Sequence, residues 1–383
     1  MVVGNPVPAA EGSTGDTMRE LDSQQLRDIA RGAAILGTGG GGDPYLGTLA
    51  ALQALKDFGP PRVIEPDEVA DDEVLAMPVM VGAPVAFIEK FSLGPELESA
   101  FRALDKHLDR RIVALMSAEM GGANSIVPLV LGARLQLPVV DADAIGRAYP
   151  EIQLTTLTIH GISASPFALA DERGNTTILH TIDNFWTERL ARPIAVEFGA
   201  IAASMGFAIT GSQLRQAGVL GSLSYAERIG RTIREARVNK QDVIAALLGV
   251  TGGFELFRGK IIDVQRRIER GWTLGEARLD GLDEYAGANM LVQFQNENLV
   301  AIRDGQLAAC VPDLITLIDA DTGEAITTER LRYGFRVIVL GIPCHAQWRT
   351  EKGIELGGPG HFGYDLGYVP IEDLQQATRE RRT

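Results

Sequence analysis

The sequence has few cysteines, and this shortage excludes two classes of protein. Its two cysteines, Cys310 and Cys344, lie in separate apolar segments and form no paired metal-ligand spacing. The pattern excludes a zinc ribbon and a disulfide framework. It indicates a reducing compartment, so we expect a cytoplasmic protein.

Basic residues and long hydrophobic runs are also scarce. The 36 Lys and Arg residues are outnumbered by 50 Asp and Glu, which gives a formal net charge of −14 at pH 7. No segment concentrates Lys and Arg with interleaved aromatics, as a surface that tracks phosphates would. No apolar run approaches the ~20 residues needed to cross a bilayer. We therefore expect neither a nucleic acid nor a membrane as a partner.

The length and the pattern of apolar runs predict two domains. At 383 residues, the chain exceeds the ~250 to 300 residues at which a single core usually stops growing. Short apolar runs at 74–81, 111–116 and 137–140 alternate with helical patterns, which is typical of buried parallel strands. We predict a three-layer α/β domain with a mainly parallel sheet over residues 19–183, followed by a mixed, β-rich domain over residues 184–383.

Other segments carry more specific predictions. Residues 1–18 lack the basic and apolar regions of a secretory signal, and we interpret them as a disordered tail. The patterns predict a strand at 154–159, a helix at 184–205 and a single strand at 290–302. The last of these leads through an Asp304-Gly305 turn into a further strand.

A glycine-rich loop lies between two helical patterns. Four consecutive glycines, Gly39, Gly40, Gly41 and Gly42, precede Asp43. Glycine admits positive φ angles and leaves backbone amides free to approach a ligand. The loop has no Lys-Ser/Thr ending and no preceding strand, which excludes a P-loop and a dinucleotide fingerprint. A ligand-contacting loop and a plain tight turn both remain open.

Polar residues follow two of the predicted parallel strands. Glu119 and Asn124 follow one strand, and Asp141, Asp143 and Arg147 follow the next. Loops at the carboxyl ends of such strands form the ligand crevice of open α/β sheets. Paired carboxylates there hold a proton at neutral pH or bind a cation, because like charges raise each other's pKa. Helix capping by Asn124, Ser125 and Asp143 is the alternative.

The second half of the chain offers further polar candidates. Gln295, Asn296 and Glu297 are unusual residue types for a strand and, if buried, need polar partners or a ligand. His361 lies in a glycine-flanked loop that suits general acid/base work. Cys344 stands beside His345, but adjacent residues on a strand point to opposite faces, so a core cysteine competes with a nucleophile here.

Several segments, taken in order, resemble the S-methyl-thiohydantoin desulfurase family. The resemblance spans nearly the whole chain after the N-terminal tail. The segments are GTGGGGDP at 37–44, PVVDAD at 138–143 with GRAYP at 146–150, FQNE at 294–297, PDLI at 312–315 and FGYD at 362–365.

The resemblance implies hydrolysis of an S-methyl-thiohydantoin to a hydantoin and methanethiol. Under this hypothesis Glu119, Asp141, Asp143 and His361 supply the general acid and base. Side-chain amides bind the ring of the substrate, and a cationic side chain binds a carboxylate on the substrate's tail. The residues expected to bind it are Gly39, Gly40, Gly41, Gly42, Asp43, Asn124, Arg147, Gln295, Asn296 and Glu297.

Two other function classes compete with this hypothesis. One is a non-catalytic, ligand-binding or accessory subunit of a hydantoinase/oxoprolinase system, which an exposed apolar patch outside the crevice would favour. The other is a nucleotide-dependent enzyme, which the missing lysine of the glycine loop disfavours. No motif requires a cofactor, and a divalent metal remains open. The expected partners are a small heterocyclic substrate, further copies of the chain in a homo-oligomer, and hydantoinase/oxoprolinase subunits.

Overall fold

The computed structural model describes residues 18–42, 44–82, 90, 94–269 and 272–380, with the backbone alone at 378 and 379. Asp43 and all of the predicted tail except Met18 therefore lie outside the described residues. The helices are α1 Ser23–Leu36, α2 Pro44–Phe58, α3 Pro95–His107, α4 Val127–Leu135, α5 Thr156–Ile159, α6 Asn184–Glu197, α7 Gly211–Ala217, α8 Ser222–Val238, α9 Val243–Thr251, α10 Glu351–Gly357 and α11 Ile371–Glu380. Within these ranges, no helix combines the length and the apolar character needed to cross a bilayer.

The strands form two large sheets and one short pair. The strands of the first sheet and of the short pair are β1 Arg19–Glu20, β2 Arg62–Ile64, β3 Val74–Gly82, β4 Ile112–Met116, β5 Val139–Val140, β6 Ala142–Asp143, β7 Phe167–Ala170, β8 Thr176–Leu179, β9 Ile201–Thr210 and β10 Val219–Leu220. The second-domain strands are β11 Phe254–Glu269, β12 Trp272–Gly281, β13 Asn289–Gln295, β14 Glu297–Arg303, β15 Gln306–Cys310, β16 Leu314–Asp319 and β17 Arg336–Ile342.

The first sheet confirms the predicted N-terminal α/β domain. Its order is β1-β2-β5-β4-β3-β9-β7-β8, and the neighbouring strands β2, β5, β4 and β3 run parallel. The apolar runs predicted as buried strands become β3, β4 and β5 at its centre. Antiparallel strands flank this parallel core on both sides.

The second sheet confirms the β-rich C-terminal domain. Its seven strands follow the order β15-β14-β13-β12-β11-β17-β16, and every neighbouring pair is antiparallel. The sheet curls into a half-barrel, in which Asn298 of β14 donates a hydrogen bond of 3.0 Å to the carbonyl of Ile315 in β16.

Three local predictions were wrong. Residues 154–159 contain a helical turn instead of a strand, because the Thr155 hydroxyl caps it by accepting from the amide of Thr158. The helix predicted at 184–205 ends at Glu197, and β9 then returns to the first sheet. The single strand predicted at 290–302 is a hairpin of β13 and β14, broken at Asn296, whose φ of 55° lies in the left-handed region that asparagine tolerates.

Helix α1 joins the two halves of the molecule and fixes the start of the glycine loop. It crosses α8 at glycines, since a Cβ on Gly32 would lie 1.8 Å from the carbonyl oxygen of Ala226. Its last turn is held to the second sheet, where Thr316 donates a hydrogen bond of 2.7 Å to the carbonyl of Ile35. The loop after α1 is thereby set between the two domains.

Candidate active site

A cavity of about 100 Å³, partly open to solvent, lies where the two domains meet. It is bounded by the carboxyl ends of β3 and β4, by the glycine loop and by the β13–β14 turn. Its apolar walls come from Met77, Val79, Met80, Val81, Ala118, Ala123, Ile145, Ile152, Phe167, Ile201 and Phe207. Its polar lining comes from Glu119, Asn124, Tyr149, Glu151, Thr155, Arg192, Asn296 and Glu297, with Gly41 and Gly42 beside them.

Glu119 is a buried carboxyl group at the end of β4. One of its oxygens accepts a hydrogen bond of 2.8 Å from the side-chain amide of Asn124, and the other accepts one of 3.2 Å from the backbone amide of Tyr149. Asn124 is fixed in turn by the backbone of Met80. Burial raises the pKa of Glu119 to about 7, although these two hydrogen bonds oppose the shift. Near neutral pH this group therefore exists in both protonation states.

Glu297 brings a second buried carboxyl group from the other domain. Burial, and then the charge of Glu119, raise its pKa well above the usual value. Its Oε2 atom has no hydrogen-bond partner among the described residues. The side chain passes so close to Gly40 that a Cβ there would lie 1.9 Å from Oε1. The close approach explains why glycine is needed at position 40.

The glycine loop contacts the cavity, as one of the two sequence interpretations expected. Gly41 and Gly42, with φ of 77° and 85°, lie in its lining. Gly39 stands outside the lining, where its carbonyl accepts a hydrogen bond of 2.9 Å from the amide of Thr328. The loop is also tied to the turn after β4, because the carbonyl of Gly41 accepts from the amide of Asn124.

Of the two amides expected to bind substrate, only Asn296 lines the cavity. Its Oδ1 atom accepts a hydrogen bond of 2.8 Å from the amide of Thr273. Its side-chain NH₂ group is therefore the part that is left for a ligand. Gln295 is half-buried and contributes nothing to the cavity lining.

Asp141 and Asp143 do not reach the cavity, which corrects their predicted place at its rim. Asp141 caps the start of α8 by accepting from the amides of Leu223 and Ser224. Asp143 accepts from the amides of Ile145 and Gly146, and burial raises its pKa to about 6. Asp141 thus caps a helix, which the sequence analysis did not predict for it, whereas Asp143 binds the amides of a bend and caps no helix.

Arg147 also lies behind the cavity rather than in it. Its side chain is completely buried and donates hydrogen bonds to the carbonyls of Pro312 and Asp313 and to the hydroxyl of Thr38. The guanidinium group stacks over the ring of Tyr149 at 4.4 Å. Its positive charge opposes the rise in the pKa of Glu119 and of Glu297. Its hydrogen bonds also tie the two domains together.

Four polar groups of the lining, Tyr149 among them, were missed by the sequence analysis. Arg192 lies on α6, where Nε donates to Glu188 and one terminal nitrogen to the carbonyl of Pro150. Its other terminal nitrogen has no hydrogen-bond partner among the described residues. Thr155 and Glu151 complete the set. Glu151 directly follows the GRAYP segment at 146–150, which was the only feature of the sequence that pointed to it. No feature of the sequence pointed to Arg192.

His361 is separated from the cavity by the side chain of Glu151. Its Nε2 atom is 3.3 Å from an oxygen of Glu151, and Glu151 in turn lines the cavity. Burial raises the pKa of Glu151, but the hydrogen bond with His361 lowers it further, so the net shift is downward. His361 therefore does not line the cavity itself.

The comparisons with known proteins cover nearly the whole chain. The family domain described as S-Me-THD-like, N-terminal domain matches residues 24–181, and S-Me-THD-like, C-terminal domain matches residues 182–371. The chain belongs to the S-methyl-thiohydantoin desulfurase family. This confirms the resemblance drawn from the sequence, and the family name implies an enzyme that acts on S-methyl-thiohydantoin.

A solved structure shares the fold of this family member. The X-ray structure of a protein from Chromobacterium violaceum matches with a TM-score of 0.77 and 24% identity, over 92% of this chain and 100% of that one. At this identity the likeness shows the fold alone. No curated protein matches the chain significantly.

Neither cysteine of this desulfurase family member is placed as a nucleophile. Cys344 is buried outside the cavity lining, and burial raises the pKa of its thiol to about 12. Cys310 is buried as well. In the part of the chain that the structure describes, no three His, Cys, Asp or Glu side chains form a group that holds a metal ion.

The raised pKa of Glu119 predicts a pH-dependent cost to stability. The group binds its proton more tightly in the folded chain, so its contribution is fully present below pH 4.5 and is lost as the pH rises through about 7. The full loss corresponds to about 3 kcal/mol. We expect Glu119→Gln to gain stability relative to the wild type between about pH 5 and about pH 8. Urea unfolding at both pH values measures this.

The control for this measurement is Glu351→Gln, which changes an exposed carboxylate at the start of α10. Its stability difference from the wild type should be the same at both pH values. A Glu119→Gln variant that behaves in the same way would contradict the prediction.

Proposed function

We propose that the chain is a hydrolytic desulfurase that converts an S-methyl-thiohydantoin to a hydantoin and methanethiol. The observation that carries this proposal is the pair of buried carboxyl groups, Glu119 and Glu297, which come from different domains and face one cavity. Burial raises the pKa of both groups, which suits them to exchange protons as a general base and a general acid. Membership in the desulfurase family supports the same reaction.

In the first step, water adds to the ring carbon that carries sulfur. Ionised Glu119 takes a proton from this water as its oxygen bonds to the carbon. Protonated Glu297 gives its proton to the ring nitrogen, whose double bond to the carbon opens. The result is a tetrahedral carbon that bears a hydroxyl group and the S-methyl group, with Glu119 now protonated and Glu297 ionised.

In the second step, the carbon–sulfur bond breaks. Glu297 removes the proton of the hydroxyl group, and a carbonyl forms as the sulfur leaves. Glu119 gives its proton to the sulfur, which departs as methanethiol. Both carboxyl groups return to their starting states, so the cycle needs only water and substrate.

The remaining lining suits a ring with a charged tail. The apolar walls exclude water and favour an uncharged ring, while the NH₂ group of Asn296 donates to a ring carbonyl. Arg192 offers its unpartnered terminal nitrogen to a carboxylate on the ring substituent. It thereby takes the role that the sequence analysis gave to Arg147.

We expect Arg192→Met to raise KM about 10- to 100-fold for a substrate with a carboxylate tail, because a hydrogen bond to a charged group is lost. The kcat value should change much less. A substrate analogue with a neutral tail should show no increase in KM. Steady-state kinetics with both substrates measures the difference.

The control is Arg231→Met, which removes an exposed cation from α8, outside the cavity lining. It should leave both KM values unchanged. An equal rise in KM for both tails in Arg192→Met would contradict the role in tail binding.

The reaction itself is tested with the purified chain and an S-methyl-thiohydantoin in ¹⁸O-labelled water. We expect methanethiol, detected by a thiol reagent, and a hydantoin whose new carbonyl carries ¹⁸O. An absence of product, or a product without the label, would sink the proposal. The same assay run with nucleotide should show no dependence on it.

An accessory, ligand-binding role is the second candidate, because α6 exposes an apolar face outside the cavity. In that case a hydantoinase/oxoprolinase partner supplies the catalysis. Turnover by the purified chain alone decides against it. We also propose that the protein works in the cytoplasm and that it forms a homo-oligomer.

A further inference from the structure

The outward face of α6 is unusually apolar for a helix exposed to solvent. Five of the fifteen exposed large hydrophobic side chains of the described residues fall within residues 182–196. Clusters of this kind mark interaction sites, whereas single exposed hydrophobic residues are ordinary. They are Ile182, Phe185, Trp186, Leu190 and Val196, of which Ile182 is 87% exposed and Val196 is 53% exposed.

The face has few charges, and these are arranged symmetrically. Its two charged residues are Arg189 and Glu197, and neither forms an ion pair with another described residue; Arg189 instead covers the ring of Trp186 at 4.5 Å. They stand four residues before and four residues after Pro193, about 12 Å apart along the axis. Leu190 and Val196 are likewise placed three residues on either side of Pro193.

This arrangement is complementary to itself. When two such helices pack antiparallel about a two-fold axis at Pro193, Arg189 of one copy comes level with Glu197 of the other, and Leu190 comes level with Val196. The same contact occurs twice, as in any isologous interface. The net charge of −14 disfavours self-association elsewhere on the surface, whereas this face carries one charge of each sign.

A recess beside the face offers room for the second copy's side chains. It lies between α6 and the edge strand β8, and Pro193, Ile194, Thr176 and Thr177 line it. Arg192, which lines the cavity, precedes Pro193 directly and lies at the edge of this face, about 100° around the helix from Pro193. A contact on the outer side therefore braces a wall of the candidate active site.

We propose that the outward face of α6, centred on Pro193, is a homodimer interface in which the two helices pack antiparallel. The proposal does not rest on the proposed function. The occupant is a second copy of this chain, since the charges and the apolar residues match their own two-fold images.

Analytical ultracentrifugation of the full chain, over a range of concentrations, tests the interface. The wild type should sediment as a dimer with twice the 41.1 kDa chain mass. Arg189→Glu and Glu197→Arg should each weaken the dimer at least about tenfold, because like charges then meet across the interface. The double variant that carries both changes should restore the dimer, since it re-forms both pairs with the signs exchanged.

Two further variants keep the test specific. Leu190→Glu should also weaken the dimer, while Val238→Glu, at a still more exposed apolar position at the end of α8, should leave it intact. Circular dichroism checks that every variant is folded. A wild type that stays monomeric, a dimer that all the α6 variants retain, or a double reversal that fails to restore the dimer would each overturn the proposal.

Discussion

Replacement of Glu119 by glutamine is expected to lower the rate of methanethiol release by about 100- to 10,000-fold, the usual contribution of a general base. Glutamine keeps the size of the side chain, but only its oxygen can accept, so it keeps one of the two hydrogen bonds from Asn124 and from the amide of Tyr149. It cannot take a proton from water. Single-turnover measurements with an S-methyl-thiohydantoin give the rate of the chemical step directly.

The pH profile provides an independent check of the same role. In the wild type, kcat/KM should rise with pH through about 7, as Glu119 loses its proton, and should fall again above the raised pKa of Glu297. The rising limb should disappear in Glu119→Gln. In Glu297→Gln the falling limb should disappear instead, with a rate loss of similar size.

The control is Asp141→Asn, which changes a carboxylate that caps α8 outside the cavity. It should lower stability by about 1 kcal/mol, as the loss of a cap does, and leave the rate within a few-fold of the wild type. A large rate loss in Asp141→Asn together with an active Glu119→Gln would contradict the assignment. It would restore the role that the sequence analysis gave to Asp141.

The fold was predictable where burial on both faces imposes a continuous apolar run. Such runs at 74–81, 111–116 and 137–140 become the central parallel strands β3, β4 and β5. The errors occur where a single residue decides the path. The hydroxyl cap of Thr155 gives a helical turn, and the left-handed backbone of Asn296 divides one predicted strand into a hairpin.

The sequence predicted a site with carboxyl and amide groups at the strand ends, but only some of the residues that form it. The strand-end rule correctly brought Glu119 and Asn124 to the cavity, because they follow β4 directly. The same rule failed for Asp141 and Asp143, whose carboxylates are held by backbone amides that only the folded chain brings near. Sequence distance also hid Glu297 as the partner of Glu119.

Asp313 shows a buried carboxylate whose role is structural. It is fully buried, and its two oxygens accept four hydrogen bonds in all. The donors are the amide of Cys344, the guanidinium of Arg349, the hydroxyl of Tyr368 and the amide of Ile371, at 2.8 to 3.0 Å. Asp313 therefore fastens the C-terminal segment, from β17 to α11, onto the second sheet.

We expect Asp313→Ala to destabilise the chain by about 3 to 5 kcal/mol, because it leaves Arg349 without one of its carboxylates and two buried amides without acceptors. Urea unfolding measures the loss, and hydrogen exchange should show faster exchange at the amides of Cys344 and Ile371. The matched control is Asp319→Ala, since Asp319 accepts three hydrogen bonds in an exposed turn, where water replaces them. Equal losses of stability in the two variants would contradict the prediction. They would mean that the burial of Asp313 adds nothing to the stability that its hydrogen bonds provide.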